Sequence, residues 1–303
     1  MSEHKVIATG LRFPEGPIWR PDGSILLVEM ERQTLSRVAS DGGVEVVAHL
    51  GGGPNGAAIG PDGHAYVCNN GGFLWHEEGP MLMPHGRAPD CPTGSIQRVD
   101  LSSGTVDILY THCDGQPLLA PNDIAFDCYG GFWFTDSGLM TETGMTYGGL
   151  YYAKQDGSGI SKVRGGNVGL NGVAFGPDGT TLYVSETLAG RLWAFDIVAP
   201  GEAAPPPMPF MAARIVQTLP AFQMVDSLAV EASGKVAVAT MLNGGITIFD
   251  PDGTTEHFPL PDPFMTNICF GGADMQDAWM TGGATGTLFA ARWPRPGLAL
   301  PYN

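Results

Sequence analysis

A nine-residue phrase recurs along this chain and limits what it can fold into. NGAAIGPDG from Asn55 and NGVAFGPDG from Asn171 are near-copies, and EGPIWRPDG from Glu15 keeps their frame. NDIAFDCYG from Asn122 and DSLAVEASG from Asp226 also fit. Each begins with a polar head, continues through small and apolar residues, and reaches a turn residue seven positions later: Asp22, Asp62, Tyr129, Asp178 and Ser233. A sixth copy, TNICFGGAD from Thr266, has a turn one residue longer. Self-similarity with a period of about fifty residues signals equivalent supersecondary units packed against one another.

The units are made of strands. After each turn comes a β-rich run: SILLVEM, HAYVCNN, GFWFTDS, TLYVSET, KVAVATM and DAWMTGG. β-branched and aromatic residues dominate these runs, Pro, Asp and Gly separate them, and no long helical periodicity intervenes. Six four-stranded units closing on themselves predict an all-β, six-bladed propeller. The expected blades cover about 11–50, 55–111, 122–168, 171–219, 226–260 and 266–293, within one domain spanning 1–303. The last blade lacks a fourth strand, and residues 4–10, ending KVIATG, are expected to supply it and close the ring. An open β-solenoid is the alternative, but such repeats are shorter and more regular.

Composition narrows the partners. A net charge of −16 repels phosphate backbones and anionic membranes, so neither nucleic acid nor membrane is expected. The five cysteines have no zinc spacing, and the start of the chain has no apolar segment typical of a signal peptide. A cytoplasmic protein with reduced thiols is expected, as a monomer or small homo-oligomer.

In a propeller the first strand of every blade lines the axis, so the heads should converge at one end of it. Glu15, Asn55, Asn122, Asn171, Asp226 and Thr266 would form a ring of oxygen atoms. Such a set suits one hard divalent cation, Ca²⁺ ahead of Mn²⁺, Zn²⁺, Mg²⁺ or Fe²⁺. Two carboxylates on a narrow channel would repel each other without one. The amide heads also suit ordinary strand-start turns. Asp123, Asp136 and Glu186 fall near the same face and could orient ligands.

Links between the second and third strands, and between blades, should cover this face. The longest such link, residues 71–94, is a candidate lid and carries His76 and His85. Met140, Met145, Phe222, Met224, Phe264 and Met265 would give the mouth an apolar, adaptable rim. No phosphate loop and no GxSxG elbow is present. The proline run APPPMPF at 204–210 lies on a link at the opposite face and reads as a stiff loop.

PEGPIW, PND, LNGVAF, DSLAVEASGKVAVA and NICFGG occur in one order over nearly the whole chain. With them the sequence resembles the regucalcin (senescence marker protein)/gluconolactonase family. That resemblance implies a six-bladed propeller and a lactonase using one divalent cation. It implies Glu15, Asn171 and Asp226 as metal ligands, Asn122 beside the metal, and Asp226 also as general base. Regucalcin-like members carry an Arg shortly before the ND asparagine, where this chain has Leu119 and Ala120. The Asp226–Ser227 pair and the TDSG motif are more similar to the drug-responsive bacterial lactonases, which are calcium enzymes. In that comparison Asp123 and Ser227 join the site.

The expected function is metal-dependent opening of a small-molecule lactone or cyclic ester, with an apolar or aromatic substrate favoured by the rim. Asp226 and Asn122 would be catalytic; Asn55, Asp123, Ser227, Asp136, Met224 and Phe264 would touch substrate or support the ligands. Metal-dependent isomerisation or cleavage of a carbonyl compound is one alternative. A non-catalytic calcium-binding propeller is the other.

Overall fold

The computed structural model describes residues 3–88, 93–141, 143–167, 169–220 and 222–303. Every regular element among them is a strand, and none is a helix long and apolar enough to cross a membrane. Six sheets, each built on a four-stranded path, form a six-bladed propeller. Their innermost strands are Pro14–Trp19, Pro54–Ile59, Pro121–Phe126, Leu170–Phe175, Met224–Val230 and Met265–Gly271. We number the blades in that order. Each innermost strand adjoins the next, and the sixth adjoins the first.

Ring closure follows the sequence expectation. Blade 6 runs from Met265–Gly271 outward through Asp277–Gly282 and Thr287–Arg292, and its outermost strand is His4–Ala8. Lys5 opposes Ala290 and Val6 opposes Phe289, so the two ends of the chain share one sheet. This closure removes the exposed inner edge that an open array would present.

The turns fold as their chemistry dictates. In blades 1, 2 and 4 the carboxylates of Asp22, Asp62 and Asp178 accept N–H bonds from Ser24, His64 and Thr180 at 2.9, 3.2 and 2.9 Å. The glycine after each aspartate takes a positive φ, which an L side chain resists. Apolar clusters fill the wedges between blades, for example Val28, Leu35, Val67 and Val99 between blades 1 and 2.

One irregularity recurs in every blade. Each innermost strand shifts register against its neighbour at the polar head, between Glu15 and Ile18, Pro54 and Ala57, Pro121 and Ile124, Leu170 and Val173, Val225 and Leu228, and Met265 and Asn267. A β-bulge bends the strand and re-aims its side chains. Here it turns six strand ends toward the axis. The strands then approach so closely that some bulge positions exclude a side chain. A Cβ on Gly172 would lie 2.7 Å from Ser227 Cα, and one on Gly56 would lie 2.4 Å from Asp123 Oδ1.

Links that read as loops in the sequence contain further strands. The 71–94 segment forms a hairpin, Phe73–Glu78 against Met81–Arg87, while 89–92, with Cys91, lie outside the described residues. The hairpin is docked. Leu82 is buried with Phe13 and Met30, the Trp75 and Phe13 rings lie 5.1 Å apart, and Leu82 N donates to Ala284 O at 2.8 Å. It reaches from blade 2 across blade 1 to blade 6, and Arg87 Nη1 ties its far end to Leu119 O at 2.9 Å.

Replacing Gly172 with alanine forces a Cβ into backbone of the next blade. We expect Gly172→Ala to lower unfolding free energy by about 1–3 kcal/mol. Urea denaturation checks this; an unchanged midpoint would show that the blades are not in hard contact there.

Candidate functional site

The bulges bring the heads together. Glu15, Asn55, Asn122, Asn171 and Asp226 are all buried at one end of the axis. Blades 1 and 4 face each other across the ring, yet one hydroxyl reaches both: Ser227 Oγ lies 3.5 Å from Glu15 Oε1 and 3.2 Å from Asn171 Oδ1. Glu15 Oε2 accepts N–H bonds from Gly16 at 2.6 Å and from Asn267 Nδ2 at 2.8 Å. Asn171 Nδ2 donates to Thr187 Oγ1 at 3.0 Å, and its side chain also bonds the Asp226 carboxylate. One layer deeper, Asp123 accepts from Ile124 N at 2.9 Å and from Val173 N of blade 4 at 3.2 Å.

Three buried carboxylates therefore share a small space. Burial pushes Asp226 up to about 8, with the Asp123 charge adding to the shift and the Asn171 and Ser227 bonds opposing it. Burial pushes Asp123 up to about 7, against bonds from Ile124, Val173 and Ser227. Glu15 is held well above the ordinary carboxylate range, first by burial and then by the charges of Asp226 and Asp123. The interactions that set these groups include no lysine or arginine. In the ionised form the cluster lacks a counter-charge.

The chemistry of the donor set fits a hard cation. Asn55 Oδ1 and Asn122 Oδ1 are buried with no hydrogen-bond partner, an unfavourable state that a ligand would relieve. Among the described residues no three His, Cys, Asp or Glu side chains form a metal-holding group. Amide oxygens would have to complete the set, which favours Ca²⁺ over zinc-like ions.

Other sequence-predicted residues divide. Asp123 and Ser227 lie in the cluster. Asp136 does not: its carboxylate accepts N–H bonds from Leu119, Ala120 and Gly138 at 2.8, 2.9 and 2.8 Å, holding the loop that leads into Asn122. Glu186 bonds Asn167 and the Trp193 indole. Met224 begins the blade 5 innermost strand opposite Met241, and Phe264 bridges the same Met241. The His76 and His85 rings are 6.3 Å apart on the docked hairpin.

The sixth head needs correction. Thr266 Oγ1 donates to Pro14 O at 2.7 Å and lies 2.8 Å from the Thr281 hydroxyl, so it is occupied in joining blade 6 to blade 1. Asn267, one residue on, makes the contact to Glu15 instead. The register shift in this strand spans one residue fewer than in the other five blades, and alignment of the repeats hides it. Its signal is that Asn267 occupies the place of Asp123 and Ser227, second in the bulge.

Comparison with known proteins agrees with the propeller. The family model described as the SMP-30/Gluconolactonase/LRE-like region matches residues 13–284. A gluconolactonase of Zymomonas mobilis is 26% identical over 294 residues, covering 88% of this chain and 75% of that protein. The lactonase drp35 of Staphylococcus saprophyticus is 29% identical over 202 residues, 66% of this chain and 54% of the relative's length. The chain thus spans just over half of that second relative. Among solved structures, a calcium-binding regucalcin from Agrobacterium tumefaciens superposes with a TM-score of 0.77 at 18% identity, covering 100% of this chain and 98% of that one. At that identity the match speaks for the fold.

The carboxylates set a pH dependence. Asp123 and Asp226 titrate near 7 and 8 in the folded chain against an ordinary 3.8, so the unfolded chain gives up these protons first. Their contribution to stability is complete below the ordinary value and is lost as pH rises through 7 to 8. In chelator, thermal midpoints should fall between pH 5.5 and 8.5, and excess Ca²⁺ should flatten the fall. A midpoint in chelator that holds constant or rises over that range would contradict the uncompensated cluster.

Proposed function

The chain belongs to the SMP-30/gluconolactonase/LRE-like family, and from that membership and the oxygen ring we propose that it hydrolyses a lactone or cyclic ester with the help of one divalent cation. The observation that carries the reading is the convergence of Glu15, Asp123 and Asp226, without a basic partner, beside two orphaned amide oxygens. Glu15, Asn171 and Asp226 would hold the cation, with Asn122 at its side and Asn55 completing the ring. Ca²⁺ is the favoured ion. A cation bound there would polarise the ester carbonyl and acidify a water molecule.

The side chains account for the remaining steps. Asp226 accepts the proton of the attacking water as general base and returns it to the ring oxygen as the C–O bond of the tetrahedral intermediate breaks. Asn171, fixed by Thr187, keeps the Asp226 carboxylate oriented. Asn122 donates its amide N–H to the developing oxyanion. Ser227, between Glu15 and Asn171, holds those two ligands at a fixed separation.

The rim supports an apolar substituent on the substrate. Leu188 follows Thr187, which touches a head, and is 38% exposed. Leu242 lies on the blade 5 connection at the same face, with its backbone in the left-handed region at φ 76°. Strain of that kind in a leucine persists only where the surroundings impose it, and it often marks a functional rim. Met140 and Phe222 are also exposed on this face. Free thiols at Cys68, Cys113, Cys128 and Cys269 suit a reducing, cytoplasmic setting.

Metal-stripped protein supplemented separately with Ca²⁺, Mn²⁺, Zn²⁺, Mg²⁺ or Fe²⁺ tests the proposal by proton release on sugar, aliphatic and aromatic lactones. We expect turnover with Ca²⁺ and a preference for apolar lactones. Asp226→Asn should lower kcat by about 10²–10⁴-fold and Asn122→Ala by about 10²–10³-fold. Full activity of Asp226→Asn would remove the general base. Cation binding without turnover on any lactone would favour the non-catalytic alternative.

A further inference from the structure

Below the oxygen ring the axis widens into a chamber that the proposed chemistry does not use. Its volume is about 280 Å³, and none of the five heads lines it. The repeat creates it. Three positions after each head stand Ile18, Ala58, Ala125, Ala174, Ala229 and Cys269, and all six line the chamber. Four alanines at one level of a six-stranded ring leave the middle unfilled.

The polar groups at its ceiling are turned to protein partners. Asp123 accepts from Ile124 N and Val173 N. Asn267 donates to Glu15 and accepts from Ile268 N at 2.7 Å. At the lower rim Asp127 Oδ1 accepts from Tyr129 N and Gly131 N at 2.9 and 3.1 Å, and only its Oδ2 is buried without a partner. Most of the lining side chains are apolar, and chambers lined in this way take apolar guests. A cavity of ~150 Å³ already admits benzene.

The chain's own C-terminal segment crosses the lower opening. It is firmly fixed as far as Leu298. Trp293 Nε1 donates to Glu231 Oε1 at 2.8 Å, Arg295 bonds both Glu231 oxygens at 2.5 and 3.0 Å, and Leu298 N donates to Val230 O at 2.8 Å. Past that point the ties are few and lie on the far side of the axis. Tyr302 meets Phe126 of blade 3 edge-on at 5.9 Å, and Asn303 Oδ1 accepts from Arg20 of blade 1 at 3.3 Å. Leu300, between Leu298 and Tyr302, is 54% exposed. Leu298–Asn303 all line the chamber.

We propose that this chamber is a second binding site, for a small, neutral, apolar molecule, entered from the face opposite the oxygen ring when residues 299–303 lift away. It is distinct from the hydrolytic site: its walls contain none of the proposed ligands or catalytic groups, and only Asp123 and Asn267, which support them, are shared.

Fluorobenzene followed by fluorine NMR provides the test on the full chain. We expect saturable binding, exchange at least ten-fold faster after deletion of residues 299–303, and loss of binding in the double variant Ala58→Leu, Ala174→Leu. The deletion leaves the Trp293 and Arg295 anchors in place. No saturable binding in either the full or the shortened chain would overturn the proposal. So would unchanged affinity in a folded double variant, which would put the probe elsewhere. If the leucines prevent folding, crystals of the full chain under xenon pressure decide instead: xenon in the chamber supports the site, and ordered water filling it contradicts it.

Discussion

A hydroxyl bonded to the backbone of the next blade is the contact on which the arrangement depends. Each bulge lifts a carbonyl out of its own ladder, and a buried carbonyl without a partner is costly. The residue opposite the bulge, on the second strand, supplies the partner to the following blade. Ser185 Oγ donates to Asp226 O at 2.7 Å, Thr135 Oγ1 donates to Asn171 O, and Cys68 Sγ donates more weakly to Asp123 O at 3.6 Å. Between blades 6 and 1 the same service comes from Thr266 to Pro14 O. Neutral bonds of this kind contribute only about 0.5–1.5 kcal/mol each, but they fix where each head stands relative to the next. Blades 1 and 5 carry Leu27 and Ala239 at the opposing place and rely on packing there.

That geometry creates the electrostatic problem at the ring. Six strand ends bent to one axis leave no room for long basic side chains, and glycines at positions 16, 56 and 172 let the backbones close in further. The carboxylates of Glu15, Asp123 and Asp226 are thereby taken from water without a counter-ion from the chain. Keeping protons is one resolution and a cation is the other. The first would leave Asp226 mostly protonated at neutral pH; the second would return it to the charged form. On the proposed reading, burial and reactivity at this site would be linked through one ion.

Much of this was legible in the sequence because the repeat carries its own punctuation. The PDG turns after Glu15, Asn55 and Asn171 fix the frame, so the innermost strands and the converging heads follow directly. Thr266 was misleading because its hydroxyl turns to the Pro14 carbonyl of the next blade, a contact that residue type alone does not reveal. Asp136 was expected to support the site, and how it does so, by holding the loop that leads into Asn122, was not legible because its backbone partners at 119, 120 and 138 come together only in the fold. The docking of the hairpin at Phe73–Arg87 was not legible because its partners, Phe13, Met30 and Ala284, are distant in sequence. The C-terminal segment belongs to no repeat, so nothing in the pattern indicates that it crosses the axis.

The central claim is that the six bulges build one cation site at the end of the axis. Anomalous scattering from crystals soaked in Mn²⁺ tests it most directly. The account requires a single strong peak on the axis, within coordination distance of Glu15, Asn171 and Asp226 oxygens and lost on competition with Ca²⁺. A peak elsewhere on the acidic surface, with the axis empty, would contradict it.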